Sequence, residues 1–309
     1  IAHHHHDSQP IAPLRPGQML LWAALAACPS ILMVADTSFL TENIAPIPLL
    51  WVAPLGLYLL SFILCFERHG WYRRRIFLPL LALGLLALAV LPTLGLNELP
   101  IHLSMAINLG AFFAACMVCH GELARRQPHP SHLTAYYLML AVGGALGGLF
   151  VGVIAPYFFN SNYELSIGIV LTGLVVAVAI IPDLPFPRPA WRAAAITGTL
   201  VFLVLLSGIR VADHHEESSG AEASLRNFYG TLKVFAREEN GYRSMLHGQI
   251  IHGRQFLAPE KAMLPTAYYS REGGAGKTLV TNAGEIRLNK IWIGIGIGTL
   301  ATYRRAGDY

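Results

Sequence analysis

A glycine-rich segment near residue 300 carries the strongest chemical signal in the sequence. A predicted apolar strand over residues 291–297 contains the start of a Gly-x-Gly-x-Gly pattern, formed by Gly294, Gly296 and Gly298. A helix-forming stretch follows at residues 299–305. Glycines between a strand and a helix let the backbone turn sharply and approach a nucleotide closely. The pattern therefore predicts nucleotide or cofactor binding at the first strand and glycine loop of a Rossmann-like domain.

A second glycine segment, residues 273–278, ends in Gly-Lys-Thr, as a phosphate-binding loop does. That motif requires a glycine five positions before Gly276, where this chain has Arg271. No buried apolar strand leads into the segment either. We interpret it as a surface turn.

The segment Cys116-Met-Val-Cys119-His120 matches the pattern for covalent haem attachment. It lies at the end of an apolar span that is predicted below to face the cytoplasm, whereas this type of attachment takes place on the other side of the membrane. We expect no haem here, and we interpret the two cysteines as small apolar residues that fill a packed helix.

Two histidines, His247 and His252, lie in a predicted hairpin at residues 242–255, and each is close to a glycine. Two imidazoles without a third ligand make a poor zinc site. We interpret them as turn residues and predict no metal site.

The elements that must position these motifs are mostly apolar helices. Of the 309 residues, 54% are hydrophobic and only 13% are charged, whereas a soluble protein carries about a quarter charged residues. Seven segments approach the roughly 20 residues that a helix needs to cross a bilayer. They are residues 18–36, 47–66, 76–95, 100–120, 132–158, 163–181 and 191–209. We predict a mainly α membrane protein in contact with the lipid bilayer.

The arginines predict how these spans are oriented. Basic residues cluster in the loops after the second, fourth and sixth spans, and the loops between these contain no Lys or Arg. Because basic loops remain in the cytoplasm, residues 210–309 are predicted to lie on the outer side of the membrane. The same loops explain the net charge of +4, so no nucleic-acid partner is predicted.

Two features within the spans concern transport. Asp36, Glu122 and Glu164 lie near predicted span ends, where we expect them to reach water, so no ladder of ionisable residues crosses the membrane. A transporter is therefore the least favoured function.

Small-xxx-small pairs in the fifth span favour a close helix–helix contact over a hinge. The glycines that form them are Gly143, Gly144, Gly147, Gly148 and Gly152.

Residues 210–309 differ in kind, since they alternate short strand-like runs with glycine turns. Runs at 228–236 and 243–251 are predicted to be antiparallel strands. The predicted organisation is an N-terminal tail at 1–17, a transmembrane helical domain at 18–209, a small β domain at 210–290 and the start of a Rossmann-like, methyltransferase-type domain at 291–309.

This region resembles the spermidine synthase family. The segments that carry the resemblance are Leu246-His247-Gly248, His252-Gly253-Arg254-Gln255, Pro265-Thr266-Ala267-Tyr268-Tyr269 and the loop at residues 294–301. The helical part is similar to that of bacterial membrane-embedded spermidine-synthase-like proteins, in which a transporter-like helical region is fused to such a domain. Strings that carry this likeness include residues 51–58, 119–125 and 143–148.

The resemblance implies a site for decarboxylated S-adenosylmethionine or S-adenosylmethionine. It assigns Gln255 to the nucleotide site, together with the glycine loop of Gly294, Gly296 and Gly298. Tyr268 and Tyr269 are implied to bind substrate. Ser270 stands where the family has a substrate-binding glutamate, and this departure leaves the substrate open.

The implied function is transfer from such a nucleotide to an amine acceptor by an aminopropyltransferase-like enzyme in the bacterial inner membrane. Its C-terminal domain would then be periplasmic. We expect the catalytic aspartate and the ribose-binding acidic residue to lie beyond Tyr309, so that residues 1–309 lack the catalytic half. The alternative is a non-catalytic accessory or scaffold subunit, which contacts other membrane subunits of a larger complex.

Overall fold

The computed structural model describes residues 13–43, 49–67, 70–91, 93, 99–227, 230–248, 250–281 and 299–303. Within these ranges a bundle of apolar helices precedes a small antiparallel sheet. The helices of the bundle are α1 (Pro16–Asn43), α2 (Val52–Glu67), α3 (Arg74–Val90), α4 (Ile101–Arg125), α5 (Leu133–Leu149), α6 (Ala155–Phe158), α7 (Tyr163–Ile180) and α8 (Pro189–Ser218).

The helices follow the apolar segments predicted from the sequence, but their lengths differ. In the described part of the chain, five helical stretches are long and apolar enough to cross a membrane: Pro16–Glu42, Ile101–Arg125, Pro130–Phe158, Tyr163–Asp183 and Pro189–His215. Helices α2 and α3 have 16 and 17 residues, fewer than the roughly 20 of a full crossing. The apolar helices indicate association with a lipid bilayer, and seven crossings stay a prediction.

Helix α1 forms the centre of the bundle and packs closely against α5. A β-carbon on Gly147 would lie 2.6 Å from the backbone oxygen of Ala27, and Ser30 donates a hydrogen bond of 2.7 Å to the carbonyl of Gly144. The absence of side chains at Gly143 and Gly147 lets the two backbones meet. The predicted close helix–helix contact in this segment is confirmed.

Between α5 and α6 the helix widens into a π-turn over Phe150–Ile154. Pro156 follows near the start of α6. Proline has no backbone N–H, so the carbonyl four residues before it loses its usual α-helical partner. A local change of hydrogen-bond register is a common response.

The sheet is a meander of four antiparallel strands in the order β1 (Ala221–Asn227), β2 (Gly230–Arg237), β3 (Tyr242–His247) and β4 (Ile250–Phe256). The predicted hairpin is present as β3 and β4, and the described part of the predicted 228–236 run is β2. The prediction of one strand over 243–251 is wrong, because the turn at Gly248 divides that run between β3 and β4. Strand β1 was not predicted. Helix α8 also continues to Ser218, beyond the predicted end of the last span at residue 209.

The sheet docks onto the C-terminal end of α1 and the N-terminal end of α7. Arg226 on β1 forms a buried ion pair with Glu164 at the start of α7, in which Nη1 lies 3.0 Å from Oε2. Gly248, at the turn between β3 and β4, has φ of +56°, and a β-carbon there would lie 2.8 Å from the carbonyl carbon of Glu42. The close approach of this turn to α1 therefore requires glycine.

The expectation that three acidic residues of the spans reach water is wrong. Asp36, Glu122 and Glu164 are 1%, 0% and 2% exposed. Ion pairs neutralise the charges of two of these carboxylates, because Glu164 binds Arg226 and Glu122 binds two arginines. The carboxylate of Asp36 makes no hydrogen bond within the described part of the chain. Because these acidic residues are buried, their expected exposure no longer counts against a transporter.

The arginines that bind Glu122 also connect three helix ends. Arg74, at the start of α3, donates to both Glu122 oxygens at 2.7 Å and to Asp183, after α7, at 2.8 Å. Arg126, after α4, binds the same two carboxylates. The start of α3 and the ends of α4 and α7 therefore lie at one end of the bundle, and the sheet lies at the opposite end, where α7 begins.

Candidate functional site

The predicted nucleotide residue Gln255 borders an open cleft on the sheet. Gln255 lies on β4 opposite Arg243 of β3, and its Nε2 donates to the carbonyl of Ala262 at 3.5 Å. The cleft has a volume of about 340 Å³. Its lining residues are Val234, Arg243, Met245, Gly253, Arg254, Gln255, Ala262, Met263, Leu264, Thr299 and Thr302.

The segment that follows the predicted glycine loop closes one side of this cleft. Residues Thr299–Tyr303 form a short 3₁₀ helix, where the sequence predicts a helix over 299–305. Thr299 and Thr302 line the cleft, and the Tyr303 hydroxyl donates to the backbone oxygen of Tyr269 at 2.6 Å. Gln255 and Thr299, which are far apart in sequence, thus border one cleft.

The glycines of that loop, Gly294, Gly296 and Gly298, lie outside the described residues, and so does the predicted strand at 291–297. The predicted start of a Rossmann-like domain therefore stays a prediction.

The predicted substrate tyrosines lie beside the cleft and do not line it. Tyr268 donates from its hydroxyl to the backbone oxygen of His252 at 3.0 Å, and its ring centroid lies 4.3 Å from that of Tyr269. A hydrogen bond with Tyr269, with a smaller effect of burial, raises the pKa of the Tyr268 phenol. Ala267, just before this pair, has φ of +52°, a left-handed conformation that costs a non-glycine residue about 1–2 kcal/mol.

Sequence reasoning missed most residues that shape the cleft. Met245, Met263 and Leu264 give it apolar surface on which a planar base can pack, while Arg243 and Arg254 add cationic groups. Arg243 on β3 is paired with Glu222 on β1, across β2, and this hydrogen bond lowers the pKa of the Glu222 carboxyl. Arg254 stacks over the Tyr242 ring at 4.6 Å. Side chains two positions apart in a strand lie on the same face of a sheet. This alternation in the predicted hairpin could have placed Arg243 and Met245 on one face.

The charged residues in the described lining of the cleft are both arginines, Arg243 and Arg254. Among the lining residues that the structure describes, none is Asp or Glu. The arrangement suits a ligand with an apolar ring and polar substituents, and it offers no carboxylate to hold a polyamine cation.

The cysteine motif lies inside the bundle. Cys116, Cys119 and His120 are all buried on α4. His120 Nδ1 lies 2.9 Å from the Ser61 hydroxyl, and its ring packs edge-on against Tyr58 and Phe62 at centroid distances of 4.9 and 5.2 Å. These contacts are those of residues that fill a helix interface.

The remaining motifs also have structural roles. His247 and His252 are neighbours on β3 and β4, with ring centroids 5.8 Å apart, so they are strand residues and not turn residues. The described residues contain no group of three or more His, Cys, Asp or Glu that could hold a metal ion. The segment interpreted as a surface turn instead begins a ninth helix, α9 (Gly274–Thr281), and that interpretation is wrong.

Neither protein-family models nor the curated proteins nor the solved structures include a match to this chain. The likeness to spermidine synthases therefore rests on the residues quoted above.

Proposed function

We propose that this chain is a bacterial inner-membrane protein whose C-terminal part binds an S-adenosylmethionine-type nucleotide in the cleft beside Gln255. The observation that carries the proposal is that Gln255 and Thr299 border one cleft. Thr299 directly follows the glycine pattern, so a loop at Gly294, Gly296 and Gly298 would reach the same ligand. The first strand of a Rossmann-like domain at 291–297 belongs to this proposal.

The size and lining of the cleft support such a ligand. Its volume of about 340 Å³ lies in the range of small-molecule sites, which are mostly apolar with a few polar groups. Met245, Met263 and Leu264 can cover an adenine ring, and the Gln255 amide can bond to a polar edge of the nucleoside.

If the protein is an enzyme, the implied reaction is aminopropyl transfer. The acceptor amine attacks the aminopropyl carbon bonded to the sulfonium of decarboxylated S-adenosylmethionine, the bond between that carbon and sulfur breaks, and methylthioadenosine leaves. Such chemistry depends mainly on orientation of the two reactants and on a base that takes the amine proton. Tyr268 and Tyr269, which are outside the described lining of the cleft, are the side chains that we propose contact the acceptor.

The proposed topology has seven crossings with the basic loops in the cytoplasm. An ion-pair cluster supports this topology, because it brings together the start of α3 and the ends of α4 and α7. The arginine pattern assigns all three of these ends to the cytoplasmic side. The cluster consists of Arg74, Glu122, Arg126 and Asp183. The sheet lies at the other end of the bundle and would then be periplasmic.

A non-catalytic accessory or scaffold role is the second candidate, and two observations favour it. The described lining of the cleft has arginines and no carboxylate, although a polyamine acceptor would need anionic partners. A periplasmic domain would also be separated from the cytoplasmic supply of S-adenosylmethionine.

Calorimetric titration of the detergent-solubilised protein with methylthioadenosine tests the proposal. We expect weak saturable binding, with a Kd of about 1 mM or below. Gln255→Ala should weaken it by about two- to tenfold, since a lost ligand hydrogen bond costs about 0.5–1.5 kcal/mol. Gln18→Ala, an exposed glutamine at the start of α1, is the matched control. Absence of saturable binding would favour the accessory role.

A further inference from the structure

Asp36 lies in the interior of the helical bundle. It is on α1 and almost fully buried, within the stretch Pro16–Glu42 that is long and apolar enough to cross a membrane. Asp36 precedes Glu42 by six positions, so it lies about 9 Å along the helix axis from that end of the stretch. Ionisable residues at such depth are rare, and they commonly mark proton or ion pathways. Asp36 is therefore a candidate functional residue.

The two carboxyl oxygens of Asp36 have no hydrogen-bond partner among the residues that the structure describes. Glu122 and Glu164 are also buried, but each of them is bound by arginine. An ionised carboxylate without a partner is strongly disfavoured in an apolar interior, and such a group takes up a proton instead. The described packing therefore accommodates Asp36 as a neutral carboxylic acid.

The helices around α1 supply no neutralising charge for Asp36 in the described part of the chain. Helices α2, α4, α5 and α7 pack against α1. The titratable group with an electrostatic interaction with Asp36 is the Cys116 thiol of α4, and a thiol carries no positive charge. The other acidic and basic side chains of these five helices lie at helix ends or bind other partners. They are Glu42, Glu67, His102, His120, Glu122, Arg125 and Glu164.

A proton fits this environment better than a metal ion does. Hard metal ions take about six oxygen ligands, whereas the described residues contain no group of three or more His, Cys, Asp or Glu that could hold a metal. Asp36 lines neither the cleft beside Gln255 nor the smaller cavity between the sheet and the helices. A proton needs neither additional ligands nor free volume.

We propose that Asp36 is a proton-binding site of the helical domain. In the described packing its carboxyl group carries the proton, which leaves only when a movement of the helices around α1 brings water to the side chain. The helical domain thereby couples the uptake or release of one proton to a change in its packing. This site is independent of the nucleotide cleft proposed above.

Infrared spectroscopy of the whole detergent-solubilised protein at pH 7 tests this inference. We expect a carbonyl-stretch band of a protonated carboxylic acid that shifts when aspartate is labelled with carbon-13 and is absent from Asp36→Asn. The matched control, Glu222→Gln on an exposed ion pair, should keep the band. After dilution into D2O the band should shift much more slowly than the solutions mix, because the packed bundle excludes water from Asp36.

The pH dependence of unfolding in mixed micelles provides a second test. An aspartate in water loses its proton at about pH 4, so unfolding at higher pH releases the proton that folded Asp36 holds. The folded state is therefore favoured as the pH falls. Relative to Asp36→Asn, the unfolding equilibrium constant of the unmodified protein should decrease about tenfold for each unit between pH 7 and pH 5.

Four results would overturn the inference. They are the absence of an aspartate acid band, persistence of that band in folded Asp36→Asn, a band shift in D2O that is complete on mixing, and a relative stability of Asp36→Asn that does not change with pH. The spectrum with labelled aspartate uses the unmodified chain, so it decides the question even if Asp36→Asn fails to fold.

Discussion

The backbone oxygen of Ala23 on α1 occupies the space that a β-carbon on Gly143 of α5 would need. One turn further along α5, Gly147 meets Ala27 in the same way. Glycine at these two positions lets the two helix backbones come into contact in the centre of the bundle.

Substitution of Gly147 by Leu should therefore separate α1 from α5. A β-carbon at Gly147 lies 2.6 Å from the Ala27 oxygen, whereas at Gly144 it meets nothing within 4 Å. We expect Gly147→Leu to cost about 3 kcal/mol or more and Gly144→Leu to cost much less. Thermal denaturation in detergent measures both, and equal melting temperatures of the two variants would contradict the described packing.

Glu122 should stabilise the end of the bundle that lies opposite the sheet. It is fully buried between Arg74 and Arg126, and the Tyr72 hydroxyl donates to it at 2.8 Å. Glu122→Gln removes the buried carboxylate but leaves the ion pairs of both arginines with Asp183, so it should cost about 1–3 kcal/mol. Unfolding in mixed micelles measures this loss.

The control for this substitution is Glu222→Gln, which removes one partner of a half-exposed pair. Its effect on unfolding should be small, because solvent screens such pairs. If Glu122→Gln were as stable as this control, the cluster would not hold α3, α4 and α7 together.

The turn at Gly248 should fix the sheet to α1. Gly248 and Gly241 both have positive φ, +56° and +67°, but only at Gly248 would a β-carbon strike Glu42. Gly241→Ala should cost about 1–2 kcal/mol from backbone strain alone. Gly248→Ala should cost more and should expose the sheet to limited proteolysis. Identical cleavage rates in the two variants would exclude a tight dock at this turn.

The extent to which the sequence predicted the fold differs between its parts. Apolar composition located the long helices of the bundle in the described part of the chain. The glycine spacing at 143 and 147 predicted a close helix–helix contact, but not that α1 is the partner. The last nine residues of α8, about two and a half turns, were missed. Residues 210–218 are mostly polar, so the apolar signal ends before the helix does. Strand β1 was missed because it has little apolar alternation, with Leu225 as its one large apolar residue.

The site was predicted less completely, because its partners are distant in sequence. The same is true of two buried ion pairs outside the cleft. Arg226 lies 62 positions from Glu164, and Arg74 lies 48 positions from Glu122, so no local pattern in the sequence indicates either pair. Gln255 was predicted from a family resemblance alone. Its position beside Thr299 depends on tertiary contacts, such as the one from Tyr303 to Tyr269, that no local pattern contains.

Topology can be tested with single added cysteines. Trp71, Gln127 and Asn160 are exposed, and the four native cysteines are buried, so the native thiols should react slowly. A membrane-impermeant maleimide applied to intact bacterial cells should label Asn160→Cys and should leave Trp71→Cys and Gln127→Cys unlabelled. Labelling of Trp71→Cys together with Asn160→Cys would contradict the proposed orientation.

The most direct test of the proposed nucleotide cleft is photo-crosslinking with an azido-adenine analogue of S-adenosylmethionine, followed by peptide mapping by mass spectrometry. The account predicts label on the residues that line the cleft, within 243–264 or 299–303, and loss of that label when methylthioadenosine is added in excess. Label that excess methylthioadenosine does not displace, or that maps only to the helices of the bundle, would contradict it.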